Sequence, residues 1–467
     1  MDDVAEIGRF AARARGGTRE LGVPAAAGAV MAATGLAGLL SVEGADSRWL
    51  AALGAAIVRA GRIPHGVPFA AAPTAHWPNV PVLAELLFHA LLGAGARGLL
   101  VAQLVAVAIA LSLVAVDARR LGARDGQAAV TVMFAAVAAL PALAIVRFQL
   151  FSLALFPLLM LLLRAETRRP ARRIWLAPPL LALWANLHGA VLVGLALVLV
   201  YLAVFRLRRT PLEALALGAA ACVACCLTPA LWRTPLYFRG VLENEAARRG
   251  HGLWAPLSLH APFDVVLAVG AIVLLVLALR AGTSLWELVA FAVLLVATVH
   301  ASRSGVWLVL ALAPRAARSL PYSGSDSRRL VLAVLAIGAA AALFAVGRGP
   351  ASTGASATLV ARTVAAAHGE PVLAEDVLAE QVALAGGRIW AGNPLDAFRR
   401  SDQSTYLDWL DGSPGGDPAL ARADVVLVLS GSRAERHIAA DPRFVSIASD
   451  GHAKLFVRRP KARSAHT

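Results

Sequence analysis

Long apolar runs alternate with short polar breaks along this chain, and the spacing of the breaks predicts its elements. Crossing about 30 Å of hydrocarbon takes about 20 helical residues. On that measure spans are expected near 22–42, 97–117, 127–146, 148–163, 175–187, 189–205, 211–229, 264–280, 284–301, 303–317 and 330–347. The stretch 175–205 is divided in two because Arg172-Arg173 and Arg208-Arg209 belong on one side. Asn186 and His188 would also be costly in the middle of a single span. After 347 the pattern changes. A short linker, 348–354, leads to a segment, 355–460, with the alternation of a soluble protein. In it Pro371–Ala374, Arg388–Trp390 and Asp424–Leu429 read as strands, and 400–411 and Ser432–Ala440 as helices. Phe444–Ala448 and Lys454–Arg458 read as a hairpin across Ser449-Asp450-Gly451. The expected fold is an all-α polytopic membrane bundle of about 11 spans. A long first outer loop, 43–96, carries amphipathic helices, a small C-terminal α/β domain follows, and 461–467 form a disordered tail.

Composition supports a chain mostly dissolved in lipid: 58% of the 467 residues are hydrophobic and 16% charged, where a soluble domain has about a quarter charged. Disorder, coiled coil, collagen and a disulfide scaffold are excluded. The three cysteines, Cys222, Cys225 and Cys226, sit in an apolar run as small core residues. A net charge of +15 would suggest nucleic acid in a soluble protein. Here the arginines cluster between apolar runs without interleaved aromatics, as at Arg119-Arg120, Arg168-Arg169 and Arg328-Arg329, which is the pattern of cytoplasmic loops. Arg9, Arg13, Arg15 and Arg19 hold the tail 1–21 in the cytoplasm, and no cleavage site for a signal peptide follows. Alternation then places 118–126, 164–174, 206–210, 281–283 and 318–329 inside, and 43–96, 230–263 and everything after 348 outside. None of the 11 histidines falls in a cytoplasmic loop, so the polar chemistry is expected on the outer face.

The first outer loop runs from Glu43 through Asp46 and Trp49 into an amphipathic helix ending near Arg59. After Gly61, Ile63-Pro64 and Pro68-Phe69 comes His76-Trp77, then a second helix with Glu85 and His89 on one face. Such a loop roofs a cavity open to lipid and water; the structural alternative is a pair of interfacial helices capping the bundle. Three outer turns offer Arg147, Asn186 with His188, and Arg303. An arginine at the membrane boundary is costly unless it snorkels or pairs, and its fork of donors suits phosphate. The loop 230–263 adds Arg233, Tyr237, Arg239, Arg248, Arg249, His251 and Trp254.

In this order the features resemble the GT-C glycosyltransferases, multi-spanning enzymes that take sugar from a polyprenyl phosphate, in the group of protein mannosyltransferases and lipid A aminoarabinose transferases. They resemble most an uncharacterised bacterial branch. The residues that carry the likeness are Asp46, Trp49, Gly61, Ile63-Pro64, Pro68-Phe69 and Trp184-Ala185-Asn186-Leu187-His188-Gly189. Val67 stands where an aspartate often precedes Pro-Phe, and Leu227-Thr228-Pro229-Ala230 replaces an Asn-Pro-Tyr-Gly turn. A second acid close to the first aspartate is absent unless Glu43 supplies it. The resemblance implies a plasma (inner) membrane protein of bacteria. Its donor is a polyprenyl-phosphate-linked sugar, its acceptor is a lipid, glycan or protein, and its neighbours are membrane lipids, with no nucleic acid.

The residues fit that chemistry on their own terms. An acceptor hydroxyl needs a base within hydrogen-bond reach; Asp46 is the first candidate, with Glu43 and Glu85 in reserve. The structural alternative for Asp46 is a helix N-cap. The leaving lipid phosphate needs cations, which Arg147, Arg303 and Arg239 supply, with His188, Asn186, His76 and Trp49 as further substrate-binding candidates. No Asp-x-Asp or close histidine pair marks a metal site, although Glu43, Asp46 and Glu85 together offer oxygens to one Mg²⁺ or Mn²⁺. The C-terminal domain has no phosphate loop or nucleophile elbow, so recognition or lid duty is expected of it. The competing functions are a transporter or flippase and a noncatalytic envelope protein.

Overall fold

The computed structural model describes residues 24–74, 76–321 and 328–460. The basic tail expected at 1–21 and the tail at 461–467 lie outside the described residues.

In chain order the membrane part contains α1 (Ala25–Leu39), β1 (Val42–Glu43), α2 (Ser47–Ala60), α3 (Val82–Leu92), α4 (Ala96–Arg120), α5 (Asp125–Ala138), α6 (Leu140–Ala144) and β2 (Ile145–Val146). There follow α7 (Leu150–Arg168), α8 (Ala177–Ala185), α9 (Val191–Tyr201), α10 (Pro211–Cys225), α11 (Thr234–Glu243), α12 (Glu245–Arg249), α13 (Pro262–Arg280), α14 (Leu285–His300), α15 (Gly305–Ala316) and α16 (Arg328–Arg348). The C-terminal part contains α17 (Ala357–Ala367), β3 (Val372–Ala374), α18 (Asp376–Leu384), α19 (Arg400–Leu410), α20 (Asp417–Arg422), β4 (Val425–Leu429), α21 (Arg433–Ala439), β5 (Phe444–Ser449) and β6 (Ala453–Arg458).

Each expected span is answered by a helix. Four of them, α4, α7, α13 and α16, are long and apolar enough to cross a membrane unaided. The others are shorter; α9 runs on as a π-helix over Leu202–Arg206, and α5 and α6 share one predicted span, parted at Ala139. The two amphipathic helices expected in the first outer loop are α2 and α3, and Gly54 lets them cross closely: a Cβ there would lie 2.2 Å from the Glu85 carbonyl oxygen.

The first and last helices of the bundle lie side by side. Gly35 faces Gly338, whose carbonyl oxygen would be 2.5 Å from an added Cβ, so small residues set the approach as in many membrane helix pairs. That packing brings the chain on either side of 350 back to the start of the outer loop. Glu43 donates its amide to Ala351 O (2.8 Å) and Ala351 donates to Ser41 O (2.9 Å). The expected linker is therefore pinned to β1.

The C-terminal sheet has the order β3-β4-β6-β5, with β3 and β4 parallel and the rest antiparallel. The strand expected at Arg388–Trp390 is reduced to bridges of Ile389 with Val372 and with Ala70. Through these the first outer loop seals the sheet's edge, a common protection against edge pairing. Helices α17, α18 and α20, short and alanine-rich, were not anticipated from the hydrophobic pattern.

A buried charge network ties four helices together at the end of the bundle away from the outer loop. Arg164 on α7, 1% exposed, donates to Asp117 on α4 (2.5 Å), to Glu287 on α14 (2.8 Å) and to Ala311 O on α15 (2.6 Å). Arg315 adds a second cation on Glu287 at 2.6 Å. Pairing of this kind is what permits ionised groups inside a bundle.

Candidate functional site

The site begins with a two-residue ladder. Strands β1 and β2 pair in parallel, Val42 with Ile145 and Glu43 with Val146, and Gly44 donates to Val146 O at 3.0 Å. A Cβ on Gly44 would lie 2.4 Å from Ile145 Cγ2, so only glycine permits this contact. The ladder fixes the turn bearing Arg147 beside the turn bearing Asp46. Two signals in the sequence, an outer-loop acid and a boundary arginine, thus come from segments about 100 residues apart but from adjacent strands.

Arg147 is 7% exposed. One terminal nitrogen donates to Gln149 Oε1 (2.5 Å), while its Nε has no hydrogen-bond partner among the described residues. Arg303 sits in the turn between α14 and α15 with its guanidinium 3.7 Å above the ring of Trp254, a cation–π contact. Arg303 feels Arg147 and Asp46 as its charged neighbours, and Arg147 feels Asp46. Among the described residues no carboxylate forms an ion pair with either arginine within 4.0 Å.

His188 lies against the same pair. Its Nδ1 accepts from the Ala190 amide (3.2 Å) and lies 2.7 Å from Ser152 Oγ, which itself accepts from Trp184 Nε1 (2.7 Å). Nδ1 is thus the acceptor, and the proton belongs on Nε2. Phe148 packs edge-on at 4.6 Å. Burial, then Arg303 and Arg147, push the imidazole down to about 3, so it is neutral, with Nε2–H as its one donor.

Asp46 precedes α2 with φ +80°, and its side chain makes no capping hydrogen bond to the helix. The N-cap alternative therefore does not describe this residue. Its Oδ1 instead accepts from Trp49 Nε1 at 3.0 Å. Trp49 is buried and packs edge-on against Phe148, 6.4 Å between ring centroids.

The remaining candidates have other work. Glu43 is held by Arg48 in a two-pronged pair, 2.6 Å at each oxygen, so both of its oxygens carry a guanidinium hydrogen bond. Glu85 is fully buried on α3. Asn79 Nδ2 donates to one of its oxygens (2.8 Å), the other has no partner among the described residues, and burial pushes the carboxyl up to about 8. Asn186 is a tie: its Nδ2 donates to Ala182 O and Leu227 O, and its carbonyl accepts from the Ala84 amide. His76 is exposed, and its carbonyl accepts from Arg233. Arg239 is exposed and paired with Glu243 one helical turn on (3.0 Å), so it does not join the other arginines. Among the described residues no group of three His, Cys, Asp or Glu side chains is arranged to hold a metal, and Glu43, Asp46 and Glu85 are not such a group.

The C-terminal unit supplies acids that the sequence did not mark. Glu380 on α18 accepts from the amides of Asp46 (2.8 Å) and Arg48 (3.2 Å) and from Asn393 Nδ2 (2.9 Å). Burial, then Asp46, push its carboxyl up to about 8 against those donors. Asp396 accepts from Trp77 Nε1 (2.7 Å), and burial raises it to about 6. Tyr237 packs on Trp77, 6.2 Å between ring centroids, and feels Asp396, Glu85 and Asp46. The site therefore gathers acids from the first loop and the C-terminal unit with two arginines and a neutral histidine.

No family model matches this sequence, and no curated protein does. Among solved structures, the crystal structure of ArnT from Cupriavidus metallidurans bound to undecaprenyl phosphate aligns with a TM-score of 0.52 at 14% identity, over 92% of this chain and 96% of that one. The same protein in the apo state aligns with a TM-score of 0.52 at 13% identity, over 89% and 94%. This multi-pass membrane protein has the fold of the GT-C transferases.

Proposed function

We propose that the chain is an integral-membrane glycosyltransferase moving a sugar from a polyprenyl-phosphate donor to an envelope acceptor on the outer face of the bacterial inner membrane. The observation that carries this reading is the convergence of Arg147 and Arg303, neither paired with a carboxylate among the described residues, beside Asp46 and a neutral His188. Two guanidiniums side by side repel unless an anion joins them, and a phosphate takes both forks. ArnT, the structural neighbour, was crystallised with undecaprenyl phosphate.

In this reading eleven crossings put the arginine-rich loops inside and the site outside. Asp46 accepts the proton of the acceptor hydroxyl as that oxygen attacks the anomeric carbon. The bond from that carbon to the phosphate oxygen breaks, and the polyprenyl phosphate leaves held by Arg147, Arg303 and His188 Nε2–H. A single displacement of this kind inverts the anomeric configuration. The acceptor is a lipid, glycan or protein.

The test uses the purified full chain in lipid nanodiscs. Undecaprenyl phosphate is expected to bind to the wild type, and Asp46→Asn to lower transfer by about 10²- to 10⁴-fold, to a small residual rate, while leaving folding and that binding intact. Unchanged transfer by Asp46→Asn removes the base from the mechanism. Uptake of substrate by vesicles without any change in glycan supports a transporter instead. A glycolipid profile of cells lacking the protein identifies the acceptor.

A further inference from the structure

An aspartate placed just before a helix ordinarily folds back and accepts from the first free amides of that helix. Asp46 stands at that position before α2 but makes no such bond. The second amide of the helix, which such a side chain would cap, is taken instead by a carboxyl group from the C-terminal unit: Glu380 Oε2 accepts from Arg48 N at 3.2 Å, while Glu380 Oε1, 334 residues on from Asp46, accepts from Asp46's own amide at 2.8 Å. Asn393 Nδ2, from the same C-terminal unit, donates to the same Glu380 Oε1 at 2.9 Å. Asp46 is meanwhile held at φ +80°, a conformation that non-glycine residues rarely adopt. Its Oδ1 is occupied by the Trp49 indole, and Oδ2 accepts no hydrogen bond among the described residues.

We infer that Glu380 is a positioning residue of the site: by capping α2 from the C-terminal unit it releases the Asp46 carboxylate from the helix end and holds it toward Arg147 and Arg303. The C-terminal unit thereby becomes part of the reaction centre. It also answers the lack of a second acid near Asp46 in the chain, since the one expected there, Glu43, is locked to Arg48. Without Glu380 the open amides of α2 attract the nearest carboxylate, which is Asp46 itself, and the base is lost to the cap. Asp376 and Asp396, also from this unit, feel the charge of Asp46. The inference rests on Asp46 being the base.

The experiment is a double-mutant cycle on the full chain in nanodiscs. Turnover is followed as undecaprenyl phosphate released from a panel of undecaprenyl-phosphate-linked pentoses and hexoses, and binding is followed with undecaprenyl phosphate alone. Glu380→Ala is expected to lower kcat by about 10- to 100-fold, the size of effect that a misplaced catalytic group produces. KM and the affinity for undecaprenyl phosphate are expected to stay within about twofold. Glu380→Gln keeps an oxygen for the Asp46 amide and is expected to fall between alanine and wild type. In an Asp46→Asn background neither change lowers the residual rate further, because the group they act through is gone. Should the alanine chain fail to fold, the cycle is read from Glu380→Gln, with a loss of about threefold to tenfold against Asp46 and none against Asp46→Asn. An unchanged kcat in the Glu380 variants, or the same loss in both backgrounds, overturns the inference. Normal transfer by Asp46→Asn overturns the base assignment as well, whereas an inactive Asp46→Asn beside a fully active Glu380→Ala removes Glu380 alone.

Discussion

Two groups of partly or wholly buried arginines mark opposite ends of the bundle. At one end Arg164 and Arg315 share Asp117 and Glu287, and every contact of Arg164 is made within the chain. At the other, Arg147 has an unused Nε, Arg303 rests on the Trp254 indole, and each feels the charge of Asp46 without an ion pair to it. The cost of taking a cation out of water is similar in both places. One end offsets it internally and is architecture; the other leaves it open and calls for an anion from outside.

Breaking the closed end has the largest expected effect. Arg164→Met leaves Asp117 and Glu287 buried, with only Arg315 to serve Glu287, and removing one partner of a buried set costs about 3–5 kcal/mol. Thermal unfolding of the purified chain is expected to show a large fall in Tm. At the open end Arg147→Met removes no ion pair, so Tm stays near wild type. The affinity for undecaprenyl phosphate, read by tryptophan quenching, drops by about 10- to 100-fold for the loss of about 1.5–3 kcal/mol of charge-assisted bonds. If Arg147→Met unfolds the chain and Arg164→Met does not, the contrast between the two ends is wrong.

Much of this was legible in the sequence because membranes impose a simple rule. Every expected span holds helix, since an apolar run in lipid satisfies its backbone that way, but only four of the helices are long and apolar enough to cross a membrane. Asp46, Arg147, His188 and Arg303 were visible for the converse reason: a charge at a boundary stands out against lipid. The same rule said nothing about Glu380 and Asp396, ordinary acids in a soluble-looking segment, whose importance comes from contacts hundreds of residues away. It misled at Glu43 and Arg239, where a neighbouring opposite charge, Arg48 or Glu243, absorbs the residue. It also misled at Asn186, whose amide proved to be a backbone tie between helices. Pairing is decided by side-chain geometry, which periodicity does not encode.

A third effect separates the two ends of the bundle by pH. Glu380 and Glu85 are raised to about 8, Glu375, between β3 and α18, to about 7 and Asp396 to about 6, in each case by burial first. Their folded values lie above the unfolded ones, so between about pH 4 and pH 8 the folded chain holds more protons than the unfolded chain. Stability from these groups is then fully present at the acidic side of the window and is lost as pH rises through their folded values. Hydrogen exchange in α18 and around Asp396 is expected to quicken from pH 5 to pH 8 beyond the intrinsic rate, with Glu380→Gln flattening the response. Exchange near Arg164 changes less, and equal responses at both ends would remove the distinction.

The smallest effect comes from an arginine that belongs to neither group. Arg239 lies on the surface, 73% exposed at its side chain, and meets Glu243 at 3.0 Å across one helical turn. An exposed pair of this kind is worth under about 0.5 kcal/mol, and water already screens its charge. Arg239→Ala is therefore expected to leave Tm, undecaprenyl phosphate affinity and transfer within experimental scatter of wild type. A tenfold loss of affinity in Arg239→Ala would mean that the anion reaches beyond the turns of Arg147 and Arg303. Paired and unpaired would then be the wrong criterion for separating structural from functional arginines in this bundle.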